Sequence, residues 1–200
     1  MNREDFPMLE SDIVYFDNGA TTLKPKCVID SVVDYYSNYS ANAHRGDYDI
    51  SLRVNMVYEG VRGKVKDFIN ASLCEEIIFT KGTTESLNMV IFGYMAKYLK
   101  SGDEVLISKS EHASNILPWM ILKEKIGIEV NYIDLDENHS LKVDNVKKSI
   151  SSKTKVISLA HITNVIGDVR DIDAIGEICK DNNILFVVDG TQSVGHRKID

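Results

Sequence analysis

The sequence contains little cysteine and little proline, the residues that cross-link or interrupt a chain. Each occurs three times in 200 residues. The cysteines Cys27, Cys74 and Cys179 are odd in number, far apart and without a C-x-x-C pair, so we expect neither a disulfide framework nor a metal site. Cys27 and Cys179 lie within amphipathic helical patterns, which predicts buried, unreactive thiols.

The chain also lacks a long apolar run and an excess of positive charge. No apolar stretch approaches the roughly 20 residues that a membrane span needs. The polar, acidic N-terminus has neither a signal-peptide core nor the bias of a transit peptide. A formal net charge of −7 argues against a general nucleic-acid binder. These absences predict a cytoplasmic protein that binds neither nucleic acid nor a membrane.

Strand and helix patterns alternate along most of the remaining chain. Short apolar runs predict five strands, over residues 76–80, 104–108, 128–134, 155–162 and 184–189. Apolar residues at i, i+3 and i+4 predict helices over residues 26–39, 50–69, 84–99, 114–125, 143–150 and 172–179. This alternation predicts the α/β class, with a mainly parallel sheet and helices on both faces.

The segment Gly82-Thr83-Thr84-Glu85 is predicted to join the first strand to a helix. The free N–H groups and the positive end of a helix favour a phosphate group there, and the two threonine hydroxyls add donors. The alternative is an ordinary helix cap, because threonine followed by glutamate is a common start signal.

Asp189 ends the apolar run Ile184–Val188, and Gly190, Thr191 and Gln192 follow it. A carboxylate is costly to bury unless it is paired. As the partner of a protonated ring nitrogen, Asp189 would keep a heterocycle cationic and make it an electron sink. The alternative is an aspartate that caps the next turn.

His112 and Asn164 follow two other predicted strands. An imidazole at His112 would stack on a flat ring or transfer protons; the alternative is a surface histidine at a helix start. Asn164 would donate to a ring oxygen or a carboxylate, or it is a turn asparagine ahead of Gly167. Polar groups at the ends of neighbouring parallel strands meet at one sheet edge. Their convergence indicates a phosphorylated, nitrogen-containing cofactor, and pyridoxal 5'-phosphate (PLP) fits best.

These motifs occur in the order and spacing of a known family. With the segments YFDNGATT (residues 15–22), HRG (44–46) and EHASNILPW (111–119), the chain resembles the PLP-dependent cysteine desulfurases of the class V aminotransferase family, fold type I. The last two segments and Gly82–Glu85 resemble the group II branch, which includes selenocysteine lyases. The resemblance covers residues 15–192.

The resemblance implies roles for the matching residues. Gly82–Thr84 would hold the cofactor phosphate, and His112 would stack on the pyridine ring. Asp189 would pair with the ring nitrogen, and Gln192 would contact the phenolic oxygen. Asn164 would lie beside the cofactor oxygen and the substrate carboxylate.

Two further residues, Ala20 and His44, would line the substrate entrance. The resemblance implies no metal. It also implies a Schiff-base lysine in a Ser-x-His-Lys context, and Lys198 lacks that context. We therefore expect the lysine, the persulfide-forming cysteine and the carboxylate-binding arginine to belong to a segment after Asp200.

The expected organisation is an N-terminal arm over residues 1–14 and the major part of the PLP-binding large domain over residues 15–200. The large domain would be truncated before its C-terminal part, and the C-terminal small domain would be absent from this sequence. On this resemblance, 200 residues alone would be inactive.

The implied activity is removal of sulfur from L-cysteine, giving L-alanine and an enzyme persulfide for iron–sulfur cluster assembly. A homodimer and a sulfur-acceptor protein are the expected partners. The alternatives are another class V PLP enzyme, such as an aminotransferase or a selenocysteine lyase, and a catalytically inactive scaffold or dimerisation module.

Overall fold

A parallel sheet forms the centre of the structure, a computed structural model that describes residues 2–199. Within that range the strands are β1 (Glu104–Ser108), β2 (Glu129–Ile133), β3 (Thr154–Ala160) and β4 (Leu185–Asp189). The sheet order is β2-β1-β3-β4, and every pairing is parallel. All four strands lie within a residue or two of their predicted positions, so the predicted fold class is confirmed.

Seven α-helices lie within the described residues, and capping residues mark the start of one and the end of another. The α-helices are α1 (Lys26–Asn38), α2 (Asp49–Phe68), α3 (Thr83–Asn88), α4 (Ala96–Tyr98), α5 (Leu117–Ile126), α6 (Val143–Ser149) and α7 (Ile172–Asp181). Asp171 caps α7, because its Oδ1 accepts the backbone N–H of Ala174 at 3.1 Å. Gly127 ends α5 with a φ of 77°, a left-handed conformation that favours glycine.

A π-helical turn, Met89–Met95, connects α3 to α4 without a break. The predicted helix over residues 84–99 is therefore confirmed in position, but its middle is wider than an α-helix. The helical run spans residues 83–98, which is long enough for its first turn to carry the unpaired N–H groups of a helix N-terminus.

Each face of the sheet packs against its own set of helices. One buried cluster combines the π-helical turn, α5 and one face of the strands: Leu87, Ile91, Met95, Leu99, Val105, Ile107, Trp119, Leu122, Ile128, Val130 and Val156. The other combines α6, α7 and the opposite face: Leu106, Ile133, Leu141, Val146, Ile157, Leu159, Ile175, Cys179 and Ile184. Helices on both faces are thus confirmed.

The chain divides into two compact units. The second runs from Phe79 to Lys198 and contains the sheet. The first ends at Ile78, includes Ile199, and is built from α1, α2 and three short 3₁₀ turns, Arg3–Asp5, Pro7–Glu10 and Cys74–Glu76. Helix α1 buries none of its residues, and in α2 only Ser51 and Val54 are buried. No helix within residues 2–199 is both long and apolar enough to cross a membrane.

Two predictions about local structure are wrong. The strand predicted over residues 76–80 is absent: Glu76 ends a 3₁₀ turn, residues 77–80 pair with none of the four strands, and Ile78 is 68% exposed. A short apolar run favours a strand, but a strand needs a hydrogen-bonded neighbour. Cys27 is exposed on α1, because that helix has no buried face among the described residues, whereas Cys179 is buried as predicted.

Candidate functional site

Three neighbouring strands bring their predicted site residues to one edge of the sheet. Strand β3 lies between β1 and β4, and all three run in the same direction. His112 follows the end of β1, Asn164 follows the end of β3, and Asp189 is the last residue of β4. In open α/β sheets this carboxyl edge is where ligands bind.

Asp189 is buried, yet one of its oxygens is left for a ligand. The residue is 6% exposed, and Ala160 of β3 lies opposite it in the sheet. Its Oδ1 accepts the backbone N–H of Thr191 at 3.0 Å and the hydroxyl of Thr191 at 2.5 Å. Within residues 2–199 both of its side-chain bonds fall on Oδ1, so Oδ2 keeps its capacity to accept a proton donor such as a charged ring nitrogen.

The start of α3 offers a concentration of hydrogen-bond donors. The first backbone bond of the helix runs from the Ser86 N–H to the Gly82 carbonyl at 3.2 Å, so the N–H groups of the first turn lack partners within the helix. Gly82 has a φ of 156°, which favours glycine, and a Cβ built there would meet no atom within 4 Å. The backbone is therefore open to an anion at this point.

Hydroxyl groups connect the helix start to the strand ends. The Oγ1 of Thr83 lies 2.8 Å from the Oγ1 of Thr191, and the Oγ1 of Thr84 lies 2.8 Å from the Oγ of Ser114. Because the Thr191 hydroxyl has one proton, which it donates to Asp189, the Thr83 hydroxyl is the donor between the two threonines. The helix start is thus fastened to both β4 and the loop after β1.

Ser114 also holds the imidazole of His112. The backbone N–H of Ser114 donates to His112 Nδ1 at 3.1 Å, and the Ser114 Oγ lies 3.0 Å from the same nitrogen. These bonds cap the 3₁₀ turn Ala113–Asn115 and fix the plane of an exposed ring. This edge of the sheet thus offers hydrogen-bond donors for an anion at the start of α3, an exposed imidazole at His112 and a carboxylate at Asp189.

The structure places Asn164 and Gln192 at the same edge without giving either an assigned contact to a cofactor. Asn164 is exposed in a turn that follows β3, and this turn is closed by the Gly167 N–H donating to the Thr163 carbonyl at 3.1 Å. Gln192 is half-buried in the turn after Asp189. Both positions fit their predicted roles, which stay predictions.

Ala20 and His44 belong to the first compact unit. Ala20 is exposed in a turn. His44 has a φ of 60°, donates its backbone N–H to Asn55 Oδ1 at 2.5 Å, and places Nε2 3.3 Å from a carboxylate oxygen of Glu59. The loop is therefore held by side chains of α2, and the place of Ala20 and His44 beside a substrate stays a prediction.

Sequence reasoning missed Ser114 and Thr191, the two hydroxyls that connect the predicted residues. Each lies two positions after a predicted site residue, His112 or Asp189. A polar side chain commonly accepts the backbone N–H two positions later and so closes its own turn. That spacing was the available signal. Their second contacts, to Thr84 and Thr83, join segments 30 and 108 positions apart and are invisible in the sequence.

His161 also lies at this edge, where its backbone N–H donates to the Asp189 carbonyl at 2.9 Å. Burial and, to a smaller extent, the positive charge of Arg197 lower the pKa of His161, and the negative charge of Asp173 acts in the opposite direction with a smaller effect. The ring is therefore neutral at pH 7. Elsewhere in this unit, burial raises the pKa of Cys179 to about 11, so this thiol is unreactive.

Comparison with known proteins agrees with this geometry. The family model for class-V aminotransferases matches residues 14–200. A probable cysteine desulfurase of Halalkalibacterium halodurans is 40% identical over 200 residues, covering 98% of this chain and 49% of the relative. Another, of Borreliella burgdorferi, is 40% identical over 204 residues, covering 99% of this chain and 48% of the relative.

Solved structures show the same similarity. The apo structure of a cysteine desulfurase from Thermococcus onnurineus NA1 matches with a TM-score of 0.93 and 38% identity, covering 98% of this chain and 48% of that one. The Escherichia coli cysteine desulfurase CsdA matches with a TM-score of 0.89 and 32% identity, covering 99% and 50%. The chain spans about half the length of the relatives it matches. The resemblance seen in the motifs is confirmed, and the chain belongs to the class V aminotransferase family.

Proposed function

We propose that this chain forms the PLP-binding half of a cysteine desulfurase, which removes sulfur from L-cysteine and releases L-alanine. The observation that carries the proposal is the hydrogen-bonded path from His112 through Ser114 to Thr84, matched by the path from Asp189 through Thr191 to Thr83. These paths join the start of α3 to the His112 imidazole and the Asp189 carboxylate at one edge of the sheet, and they support the proposed binding of a phosphate by the helix start and of a ring by the other two groups.

The phosphate would bind at the start of α3. The N–H groups of its first turn, that of Thr83 included, the open backbone at Gly82 and the hydroxyl of Thr84 supply donors without introducing a positive side chain. A dianion there would also interact favourably with the positive end of the helical run.

The ring would lie against His112, with Asp189 at its nitrogen. Bound PLP supplies a ring that accepts the electrons of a substrate carbanion. The Oδ2 of Asp189, a residue only 6% exposed, would hold a proton on the ring nitrogen, because an opposite charge in a poorly solvated place favours the charged form. Thr191 orients that carboxylate through two bonds to Oδ1. Gln192 would contact the phenolic oxygen. Asn164 would lie beside the cofactor oxygen and the substrate carboxylate.

The names of the relatives support the proposed substrate. The curated relatives are described as cysteine desulfurases, and the solved structure of SspA, 28% identical with a TM-score of 0.85, is a complex with cysteine. L-Cysteine is therefore the proposed substrate, with selenocysteine as the alternative. We propose a homodimer in the cytoplasm that passes sulfur to an acceptor protein for iron–sulfur cluster assembly. The division into an arm (1–14) and a large domain (15–200) stays part of this proposal.

The test uses the full-length protein that contains these 200 residues. With L-cysteine it should form alanine and sulfur in equal amounts, and an assay with selenocysteine in parallel would decide the preferred substrate. Alanine formation from neither substrate, in a protein that binds PLP, would favour another class V enzyme. Folded protein that fails to bind PLP would contradict the proposal and favour a scaffold.

A second measurement locates the cofactor lysine. Borohydride reduction of the holoenzyme fixes PLP to the lysine that holds it, and peptide mapping identifies that residue. We expect one labelled lysine outside residues 1–200, since no lysine here has the required context. Stoichiometric labelling of a single lysine within residues 1–200 would mean that the proposed site is misplaced.

A further inference from the structure

A buried ion pair lies beneath the candidate site and uses none of the residues assigned above. Arg170 is 2% exposed and Glu111 is 7% exposed, and the Arg170 Nη1 donates to Glu111 Oε1. Both side chains are fully enclosed. Burying two charges is costly unless their remaining donors and acceptors are satisfied, so the surrounding contacts decide what the pair does.

Arg170 is bonded mainly to the loop that carries His112. Its Nη2 donates to the Oγ atoms of Ser108 and Ser110, at 2.7 and 2.8 Å. Its Nη1 donates to the Ala160 carbonyl at 3.1 Å in addition to Glu111. A single guanidinium therefore fixes the end of β1, the turn after it and the end of β3.

Glu111 immediately precedes His112 and fastens the same loop from its other side. Its Oε1 accepts the Ser108 hydroxyl at 2.6 Å, and its Oε2 accepts the Asn115 amide at 2.9 Å and the Ala160 N–H at 2.7 Å. Asn115 in turn accepts the Ser158 hydroxyl at 2.6 Å. The backbone on both sides of His112 is thus attached to β3.

Arg170 also closes the hairpin that carries Asn164. Its backbone N–H donates to the His161 carbonyl at 3.0 Å, and its Nε lies 3.8 Å from Asp168 Oδ2. Asp168 also accepts the Ser140 hydroxyl at 2.7 Å, which attaches the hairpin to the segment before α6. The base of the Asn164 turn and the loop of His112 therefore meet at one arginine.

We propose that Arg170 and Glu111 are positioning residues, which set the His112 imidazole and the Asn164 turn relative to the cofactor ring. The inference rests on the proposed function. A buried pair is weak evidence for stability, because apolar replacement of both partners is often neutral. The planar guanidinium of Arg170, held by several hydrogen bonds, instead restricts where the attached loops lie. Misplacing a reacting ring by about 1 Å costs about a hundredfold in rate.

The test replaces both charges in the full-length holoenzyme, Glu111→Gln with Arg170→Met, so that no buried charge is left alone. The matched control is Glu104→Gln, at the opposite end of β1. Glu104 is 8% exposed and likewise accepts several side-chain hydrogen bonds. The readouts are the melting temperature, the dissociation constant for PLP, and the visible circular dichroism of bound cofactor, which reports the fixed orientation of its ring.

The double variant should melt near the wild type and lose most of the circular dichroism per bound PLP, with kcat/KM lower by about a hundredfold. Glu104→Gln should keep the wild-type dichroism whatever its melting temperature. An unchanged dichroism in the folded double variant, or an equal loss in Glu104→Gln, would overturn the positioning role. A wild-type protein that binds no PLP would instead overturn the proposed function, and the inference with it.

A His112→Ala background gives a readout that a purely structural role would not move. Residues that act through one another give non-additive effects. The double replacement should therefore change the logarithm of the PLP dissociation constant in this background by less than half of the change that it causes in the wild type. Fully additive effects would overturn the inference.

If the double variant does not fold, Arg170→Lys replaces it in the test. This variant keeps the positive charge but loses the planar guanidinium, so it should show a partial loss of dichroism. Full wild-type dichroism in Arg170→Lys would overturn the proposal.

Discussion

The two ends of strand β1 carry buried carboxylates with similar exposure and different surroundings. Glu104 opens the strand and is 8% exposed, whereas Glu111 follows its end and is 7% exposed. Glu104 is satisfied by hydroxyl and amide donors, from Asn131 at 2.7 Å, Ser151 at 2.8 Å and Thr154. Glu111 requires a guanidinium from another loop.

The difference in partners indicates different tasks for the two carboxylates. Burial acts to raise the pKa of Glu104, but hydrogen bonds from Thr154, Asn131 and Ser151 outweigh it, so this pKa lies below its usual value. Its partners are Asn131 within β2, Thr154 at the start of β3 and Ser151 just before it, so the carboxylate joins β1 to its two neighbouring strands. Glu111 and Arg170 instead tie together loops that carry candidate site residues. We therefore assign ligand binding to the carboxyl edge and support of the sheet to the amino edge.

The largest expected effect comes from breaking the ion pair on one side. Arg170→Met leaves Glu111 buried without its counter-charge, and we expect the free energy of unfolding to fall by about 3–5 kcal/mol. Glu104→Gln removes a charge but keeps most of its hydrogen bonds, so about 1–2 kcal/mol is expected. Urea unfolding of the full-length proteins measures both. Equal losses would mean that the two edges are equivalent.

Replacement of Asp189 should affect chemistry more than binding. Asp189→Ala removes the carboxylate that holds the ring proton but leaves the phosphate site, so PLP should still bind while alanine formation falls by about 10²–10³-fold. Absorbance of bound cofactor and alanine production are measured on the same sample. Turnover near the wild-type rate would refute the role of Asp189.

Removing one threonine hydroxyl at each edge of the sheet tests the proposed phosphate contact against a matched control. Thr84→Val keeps the shape and loses a hydrogen bond to a charged group, which should raise the dissociation constant for PLP by about ten- to a hundredfold. Thr154→Val makes the same change beside Glu104 and should leave PLP affinity within about twofold of wild type. Identical affinities for all three proteins would return Thr84 to the role of a helix cap.

The two edges should also respond to acid in different pH windows. The pKa of His161 is lowered by burial, so the unfolded state takes up this proton first, and stability is lost as pH falls below about 6.5. The lowered pKa of Glu104 stabilises the fold above about pH 4.5, and this contribution is lost as pH falls through the folded-state pKa. The free energy of unfolding is measured between pH 3 and 8. The fall in stability below about pH 6.5 should disappear in His161→Gln, and the fall below about pH 4.5 should disappear in Glu104→Gln. An unchanged profile in either variant contradicts the corresponding assignment.

Much of this arrangement is visible in the sequence, because periodicity is local. The apolar runs place all four strands, and Asp189 is identified by its position at the end of one of them. The segment over residues 77–80 shows the limit: its pattern is that of a strand, but pairing depends on a neighbour that the pattern does not contain. Arg170 shows the same limit, since its partner Glu111 is 59 positions away.

Hydrogen exchange of the full-length apoprotein, with and without PLP, tests most directly that the carboxyl edge is the ligand edge. Added PLP should slow amide exchange in peptides that contain Gly82–Ser86, Glu111–Asn115 and Asp189–Ser193. Peptides at the amino edge, around Glu104, Glu129 and Thr154, should exchange as before. Protection of the amino edge, or of neither edge in protein that has bound PLP, would contradict the account.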